Sequence, residues 1–327
     1  MINCLRDNKG IALILTILIV SLIVASTLQF NTSMWSNLHA AANLSDGIKL
    51  GCIARSGLNG ALAVLYEDAS SGGFDTDTLR EKWAQLNYLS GLSTSLFDEG
   101  RFTVEISDLS GKIQINNLVR DDGNYNDNYQ ALLIRFLSLP EFGIEDQKAK
   151  DIVDAIKDWI DEDNEITGSG AEDAHYRALE SPYPCKNRPI EFLEELLLVK
   201  GINQELLYGS EEKPGIFYYL SPQGSGKINI NTADPLVLRA LSDQIDKDLA
   251  EDMVAYRQNE DNNLSNIRWY KEVSGMGDIA LPGSLIGTSS TCFEIASEGL
   301  KGSMKKKIGA VVERKGNKLK ILSWKVE

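Results

Sequence analysis

Histidine and cysteine are scarce in this chain: two histidines and four cysteines stand among 327 residues. Cys4, Cys52, Cys185 and Cys292 are far apart, so no zinc knuckle or redox dithiol arises from local spacing. A metalloprotease His pair, a serine nucleophile elbow and a phosphate-cradling Gly-Lys-Ser loop are all missing. Hydrolase or transferase chemistry has no visible centre, and the chain reads as a non-enzyme. His39 is read as a polar surface residue on a helix, and His175, beside Glu172 and Asp173, as a hydrogen-bonded loop residue. Positive charge is also short. Lys and Arg total 33 against 47 Asp and Glu, a net charge of −14. Such a field repels phosphate backbones and favours divalent cations over nucleic acid as partners.

A further absence is sharper: no formally charged side chain occurs between Lys9 and Asp46. After a polar head that holds Arg6, Asp7 and Lys9, the run from Ile11 to Phe30 is apolar or uncharged and long enough to cross a bilayer as a helix. The basic head stays on the cytoplasmic side and the rest faces the other way. Ala40, Ala41, Ala42, Leu44, Ile48 and Leu50 carry the helical pattern well past the membrane boundary. A secretory signal would be cut at the far end, where Val24 to Ser26 offers a site, but about twenty apolar residues is long for a signal core. If the chain is exported, an oxidising compartment permits a disulfide. Cys185 and Cys292 are the expected pair because both lie in the soluble part; sequence does not fix the approach of their Cα atoms.

The segment Lys9-Gly10-Ile11-Ala12-Leu13-Ile14-Leu15 resembles the leader of type IV pilins and pseudopilins. In those proteins a prepilin peptidase cuts after the glycine, here Gly10, and the new N-terminus, here Ile11, is methylated. The fifth mature residue is usually Glu, and here it is Leu15. With this departure the chain resembles the K-type minor pseudopilins of type II secretion, the general secretion pathway protein K family. The resemblance implies a subunit at the tip of a periplasmic pseudopilus. It would be anchored by a single pass in the bacterial inner membrane with its C-terminal domain in the periplasm, and its partners would be prepilin peptidase and the I- and J-type minor pseudopilins in a tip complex. A carboxylate in lipid is costly without a partner, and a subunit with Leu15 offers none to a neighbour's amine.

The expected fold is α+β: a pilin-like long N-terminal helix packed on a small antiparallel sheet, with a large inserted all-helical domain. Residues 1–10 form the leader, 11–30 the transmembrane part, 31–120 the first part of the pilin-like domain, 121–290 the insertion and 291–327 the C-terminal strands. The long helix is predicted to end near Glu67, before Ser70-Ser71-Gly72-Gly73. Phe102, Val104 and Ile106 alternate, a turn follows at Ser110-Gly111, and Lys112 to Ile115 completes an expected hairpin. Strands over Cys292–Ser297, Lys307–Arg314 and Lys318–Val326 extend the sheet. Helical spacing predicts Tyr129–Leu139, Glu145–Ile160, Ile190–Leu198 and Pro235–Leu241.

The segment Gly111 to Asn117 resembles Gly226 to Ala233, and the second copy also resembles the opening of a helix-hairpin-helix module, with Val273 to Gly277 as a second hairpin. Such modules bind DNA phosphates, which makes a membrane-tethered DNA-uptake protein the competing function. The acidic side chains between them, from Asp243 to Asp261, are unsuited to that work.

Carboxylates also crowd a glycine-rich stretch, Asp158 to Glu165 followed by Gly168 to Asp173, and hard cations take oxygen ligands in such loops. Counted from Asp161, acidic residues fall at EF-hand positions one, three, five and twelve, but Ile166 stands where that loop needs glycine. The K-type resemblance extends to Asp158–Asp161, Gly170–Asp173, Tyr183-Pro184 and Asn187, a calcium-binding region in that family. Asp161, Asp163, Glu165, Glu172 and Asp173 are the expected calcium ligands.

Overall fold

The structure is a computed structural model that describes residues 8–72 and 75–327. In chain order it contains α1 (Asn8–Ser70), α2 (Asn87–Leu96), β1 (Arg101–Asp108), β2 (Ile113–Gln114), α3 (Asp127–Leu137), α4 (Asp146–Ile160), α5 (Asp173–Arg177) and α6 (Gln204–Tyr208). There follow β3 (Leu220–Ser221), β4 (Ile228–Asn229), α7 (Pro235–Ala240), α8 (Lys247–Gln258), β5 (Ile286–Gly287), β6 (Cys292–Lys301), β7 (Met304–Lys315) and β8 (Lys318–Val326).

At 1.5 Å per residue α1 is about 95 Å long. Its first half is apolar on every side and covered by nothing, and it is long and apolar enough to cross a membrane. Only beyond Leu50 does one face become buried. Leu50, Ile53, Ala54, Leu58, Ala61, Leu65 and Ala69 recur every three or four residues and pack on the sheet. Each large side chain among them contributes roughly 1.5–3 kcal/mol of burial. Two glycines let the layers touch. A Cβ at Gly57 would strike Ser297 and Phe102, and one at Gly299 would strike the Leu50 carbonyl.

The sheet is fully antiparallel in the order β1-β6-β7-β8. Phe102, Val104 and Ile106 of β1 alternate inward, as do Phe293 and Ile295 of β6 and Ile308, Ala310 and Val312 of β7. Lys301, at the end of β6, pairs with Asp46 near the bare part of α1, and Arg314, at the other end of the sheet, pairs with Asp68. The chain leaves the sheet at Asp108 and returns at Cys292, so the intervening residues 109–291 join the sheet at the end far from the apolar segment.

Those residues form one large core built from two related modules. In each, a copy of the repeated motif starts a short parallel pair, β2 with β3 and β4 with β5. The equivalent asparagines do the same task. Asn116 donates to the carbonyls of Ile190 and Pro222, each at 2.8 Å, and Asn231 to those of Leu264 and Thr288, each at 3.3 Å. The insertion is therefore predominantly helical, with two minimal sheets at its module starts.

The expected hairpin over residues 102–115 does not form. The turn at Ser110-Gly111 does form, closed by the Lys112 amide on the Leu109 carbonyl, but β1 pairs with β6 and β2 turns away to pair with β3, because Asp108 and Ser110 are tied into the junction with residues 290–292. Helix α1 continues three residues beyond Glu67, to Ser70. The helix expected at Ile190–Leu198 shortens to a 3₁₀ segment, Leu193–Leu198, because Asn116 takes up both the amide and the carbonyl of Ile190 and Glu195 accepts the amides of Glu191 and Phe192, which holds residues 190–192 outside it. Helix α8 falls within the acidic stretch between the two hairpin motifs; Asp246 caps it by accepting the Leu249 amide at 2.9 Å, and Ala250, Met253 and Arg257 form its buried stripe.

Candidate functional site

The acidic loop lies between α4 and α5. Asp158 sits in the last turn of α4 and Asp161 caps its end, three residues on and therefore on the same side. Glu172 is the residue before α5. All three are buried, and one carboxylate oxygen from each lies within 4.8 Å of the others.

The rest of the loop is built to hold them. The Thr167 amide donates to both oxygens of Asp158, at 3.1 and 3.2 Å, and the Ser169 amide donates to Asp154 at 3.0 Å, whose other oxygen accepts from Tyr125 at 2.6 Å. A Cβ at Gly170 would strike the Asp158 carboxylate, so glycine is needed for the loop to close on it. Trp159, Tyr176 and Tyr183 form an aromatic wall behind.

Protein donors do not satisfy the cluster. Lys157 pairs with one oxygen of Asp161, while the other oxygen of Asp161 and both oxygens of Glu172 are buried without a partner. The Asn187 Oδ1 is buried and unpartnered in the adjoining loop, where that residue holds a φ of 47°. Burial, followed by the neighbouring charges of Asp158 and Asp161, pushes Glu172 up to about 7. Burial likewise raises Asp158, to about 6, and Asp161. Orphaned oxygens on hard anionic ligands fit a calcium-type cation.

Of the five expected ligands, Asp161 and Glu172 belong to this cluster. Asp163 and Glu165 point to solvent, with the Asp163 carboxylate accepting the Glu165 amide in a turn of its own. Asp173 is taken up by Arg177 and the Cys185 amide. Asp158 was not expected as a ligand; its signal is the three-residue step to Asp161 at a helix end, where counting an EF-hand frame from Asp161 skips it.

A second group, Asp68, Asp77 and Glu81, also lies close together. Here a protein cation answers the charge: Arg314 contacts both Asp68 and Asp77, and Glu81 accepts from Trp83 and Thr78. The same knot continues to Asp108, which accepts from Ser110, Ser290, Thr232 and Asn229. It fastens the entry and exit of the insertion to α1 and the sheet.

That knot also decides the helix-hairpin-helix segment. Asn229 and Thr232 are spent on Asp108, Asn231 accepts from Trp269 at 2.7 Å, and Arg257 covers the carbonyls of Ile230 and Ala233. The motif faces inward and is used for packing, so the DNA-uptake alternative finds no support.

The expected Cys185–Cys292 disulfide is not made, and both are free thiols. Cys185 lies in the core of the insertion, pointing at the Asp158 carbonyl at 3.5 Å, whereas Cys292 opens β6 beside Thr291. Cys185 belongs to the core of the insertion and Cys292 does not. Residues 1–7, Cys4 among them, lie outside the described residues, while Gly10, Ile11 and Leu15 fall in the exposed start of α1.

Comparison with known proteins gives one answer. Residues 111–209 and 228–282 match two family models described as type II secretion system protein K, and these spans coincide with the two modules of the insertion. The type II secretion system protein K of Aeromonas hydrophila is 26% identical, over 97% of this chain and 96% of its own length. That of Pseudomonas aeruginosa is also 26% identical, over 97% and 92%. In three dimensions the chain resembles one from the crystal structure of the GspK-GspI-GspJ complex of enterotoxigenic Escherichia coli. The TM-score is 0.61 at 17% identity, covering 89% of this chain and 99% of that one, a likeness of fold. The chain belongs to the type II secretion system protein K family.

Proposed function

We propose that this protein is a minor pseudopilin that initiates or caps the pseudopilus from its tip, and that it is a structural subunit without catalytic activity. The observation that carries the reading is the bare apolar half of α1, continuous with a helix seated on a four-stranded sheet. In lipid that half is a single membrane span; drawn into an assembly, it packs against the corresponding helices of other subunits. Prepilin peptidase cuts after Gly10, Ile11 becomes the methylated N-terminus, and the C-terminal domain lies in the periplasm. Leu15 leaves the subunit without the carboxylate that would receive a neighbour's amine from above. The insertion, attached at the end of the sheet remote from the membrane segment, crowds the same direction. Both features favour partners below, namely the I- and J-type minor pseudopilins, since the similar chain of known structure comes from a GspK-GspI-GspJ complex.

Asp158, Asp161 and Glu172, with the Asn187 side-chain oxygen, would hold a calcium ion, which supplies the positive charge that Lys157 alone does not. In this reading the ion stiffens the loop between α4 and α5 and takes no part in a reaction.

The test is a Gly10→Ala variant expressed in the native host. The reading expects unprocessed protein in the inner membrane and loss of exoprotein secretion. Normal processing together with normal secretion would contradict it.

A further inference from the structure

The four-stranded sheet has two edges, and they are treated differently. The β1 edge is closed by α2: Ser93 Oγ accepts the Phe102 amide at 3.1 Å and donates to its carbonyl at 3.0 Å, and Ser90 Oγ accepts the Val104 amide at 3.2 Å. The β8 edge has no such cover. Lys307 and Glu327 exchange both backbone bonds, so by alternation the amides of Trp324 and Val326 point away from β7, and no partner meets them among the described residues.

The two faces of β8 differ as well. Ile321, Trp324 and Val326 lie opposite Val312, Ala310 and Ile308, on the side of the sheet that α1 covers, yet they are 44%, 38% and 50% exposed. Arg55 of α1 stands over the Trp324 ring at 5.1 Å and marks where the helix stops covering the sheet. On the other face Lys318, Lys320 and Lys325 line up across from Lys315, Glu313 and Gly309. Residues 291–327 hold nine Lys and Arg against four Glu, in a chain whose net charge is −14.

We infer that β8 is a docking edge that accepts an extended segment of the neighbouring subunit below, one whose side chains alternate between apolar and acidic. This rests on the tip-subunit reading. An added strand would satisfy the outward amides, set apolar side chains against Ile321, Trp324 and Val326, and set carboxylates against the lysine row. The same lysines reject a second copy of this chain, because antiparallel pairing of β8 with itself brings lysine against lysine. Pairing with an acidic strand is thus selected and self-pairing suppressed by one set of residues.

The test uses the full chain in detergent with the I- and J-type pseudopilins of the same host, comparing wild type with the double variant Lys320→Glu, Lys325→Glu. Both lysines are exposed, but Lys320 faces Glu313 and Lys325 pairs with Glu327, so a small fall in melting temperature is expected, and a single cooperative transition confirms an intact fold. The inference predicts at least a tenfold loss of affinity for one of the two partners, an affinity that falls with salt in the wild type, and exchange protection of the Trp324 and Val326 amides only in the complex. Equal binding by wild type and variant, with no protection of β8, would overturn the docking edge while leaving the tip reading intact. Self-association of the wild type that the variant abolishes would overturn it in favour of a second copy. A wild-type chain that binds neither subunit would instead refute the tip-subunit reading.

Discussion

Three carboxyls share one buried volume between α4 and α5, and a single lysine reaches only one of their oxygens. In the metal-free protein the cheapest remedy is to retain protons, which is why Glu172 and Asp158 stay protonated up to about 7 and 6. The unfolded chain releases those protons at ordinary carboxylate values, so the folded state binds more protons across the window from roughly pH 4 to 7, and stability falls as pH rises through it. A scan of the calcium-free protein should show its melting temperature dropping over that range. Asp108, also raised by burial, adds to the drop and does not respond to calcium. Calcium at a hundred times its dissociation constant should restore about 2.7 kcal/mol at neutral pH. Glu172→Gln should abolish the calcium-induced rise while raising the calcium-free melting temperature at pH 7.5; a calcium response of unchanged size in this variant would remove Glu172 from the site. The general location of this centre was legible as a density of acid and glycine. Its membership was not, because which carboxylate turns inward depends on the end of α4 and on the close approach at Gly170. Thus Asp158 turns into the buried carboxylate cluster and Asp163 faces solvent.

Arg314 poses the opposite case, a charge already answered. It lies buried against Phe293 and bridges Asp68 and Asp77, three segments that meet only after folding. Arg314→Met leaves Asp77 buried without its partner and should cost about 3–5 kcal/mol, measurable by denaturant unfolding. Pairing that change with Asp77→Asn should recover part of the loss, and a double variant no more stable than Arg314→Met would show that the cost lies elsewhere.

Among the elements, α1 and the C-terminal strands were readable because each carries its own pattern: an uncharged run, a helical stripe, alternation around Gly316. The strand β1 was readable too, but its partner was not. A turn at Ser110-Gly111 is locally sound, yet Asp108 and Ser110 are consumed by contacts to residues near 229 and 290, and the strand pairs instead with one almost two hundred residues later. Helix α8 was missed because its exposed side dominates its composition and its stripe is only Ala250, Met253 and Arg257. The seat of α1 on β6 depends on contact without a side chain between them. Gly299→Val would force the layers apart at Leu50, and it should cost on the order of 1–3 kcal/mol and speed amide exchange in residues 50–58 relative to the insertion. Exchange that accelerates uniformly instead would mean that the two bodies unfold as one.

Considered whole, the protein is a membrane-length helix, a small sheet and a two-module insertion, with charge divided between an acidic bulk and a basic C-terminal sheet edge. On the proposed reading, the bare helix is a part covered by other subunits. That conclusion stands or falls with how the chain begins once matured. Mass spectrometry of the N-terminal peptide from protein purified from its native host is the most direct measurement: the account predicts a peptide that starts at Ile11 and carries an N-methyl group, and a peptide that still starts at Met1, or one cut near Ser26, would contradict it.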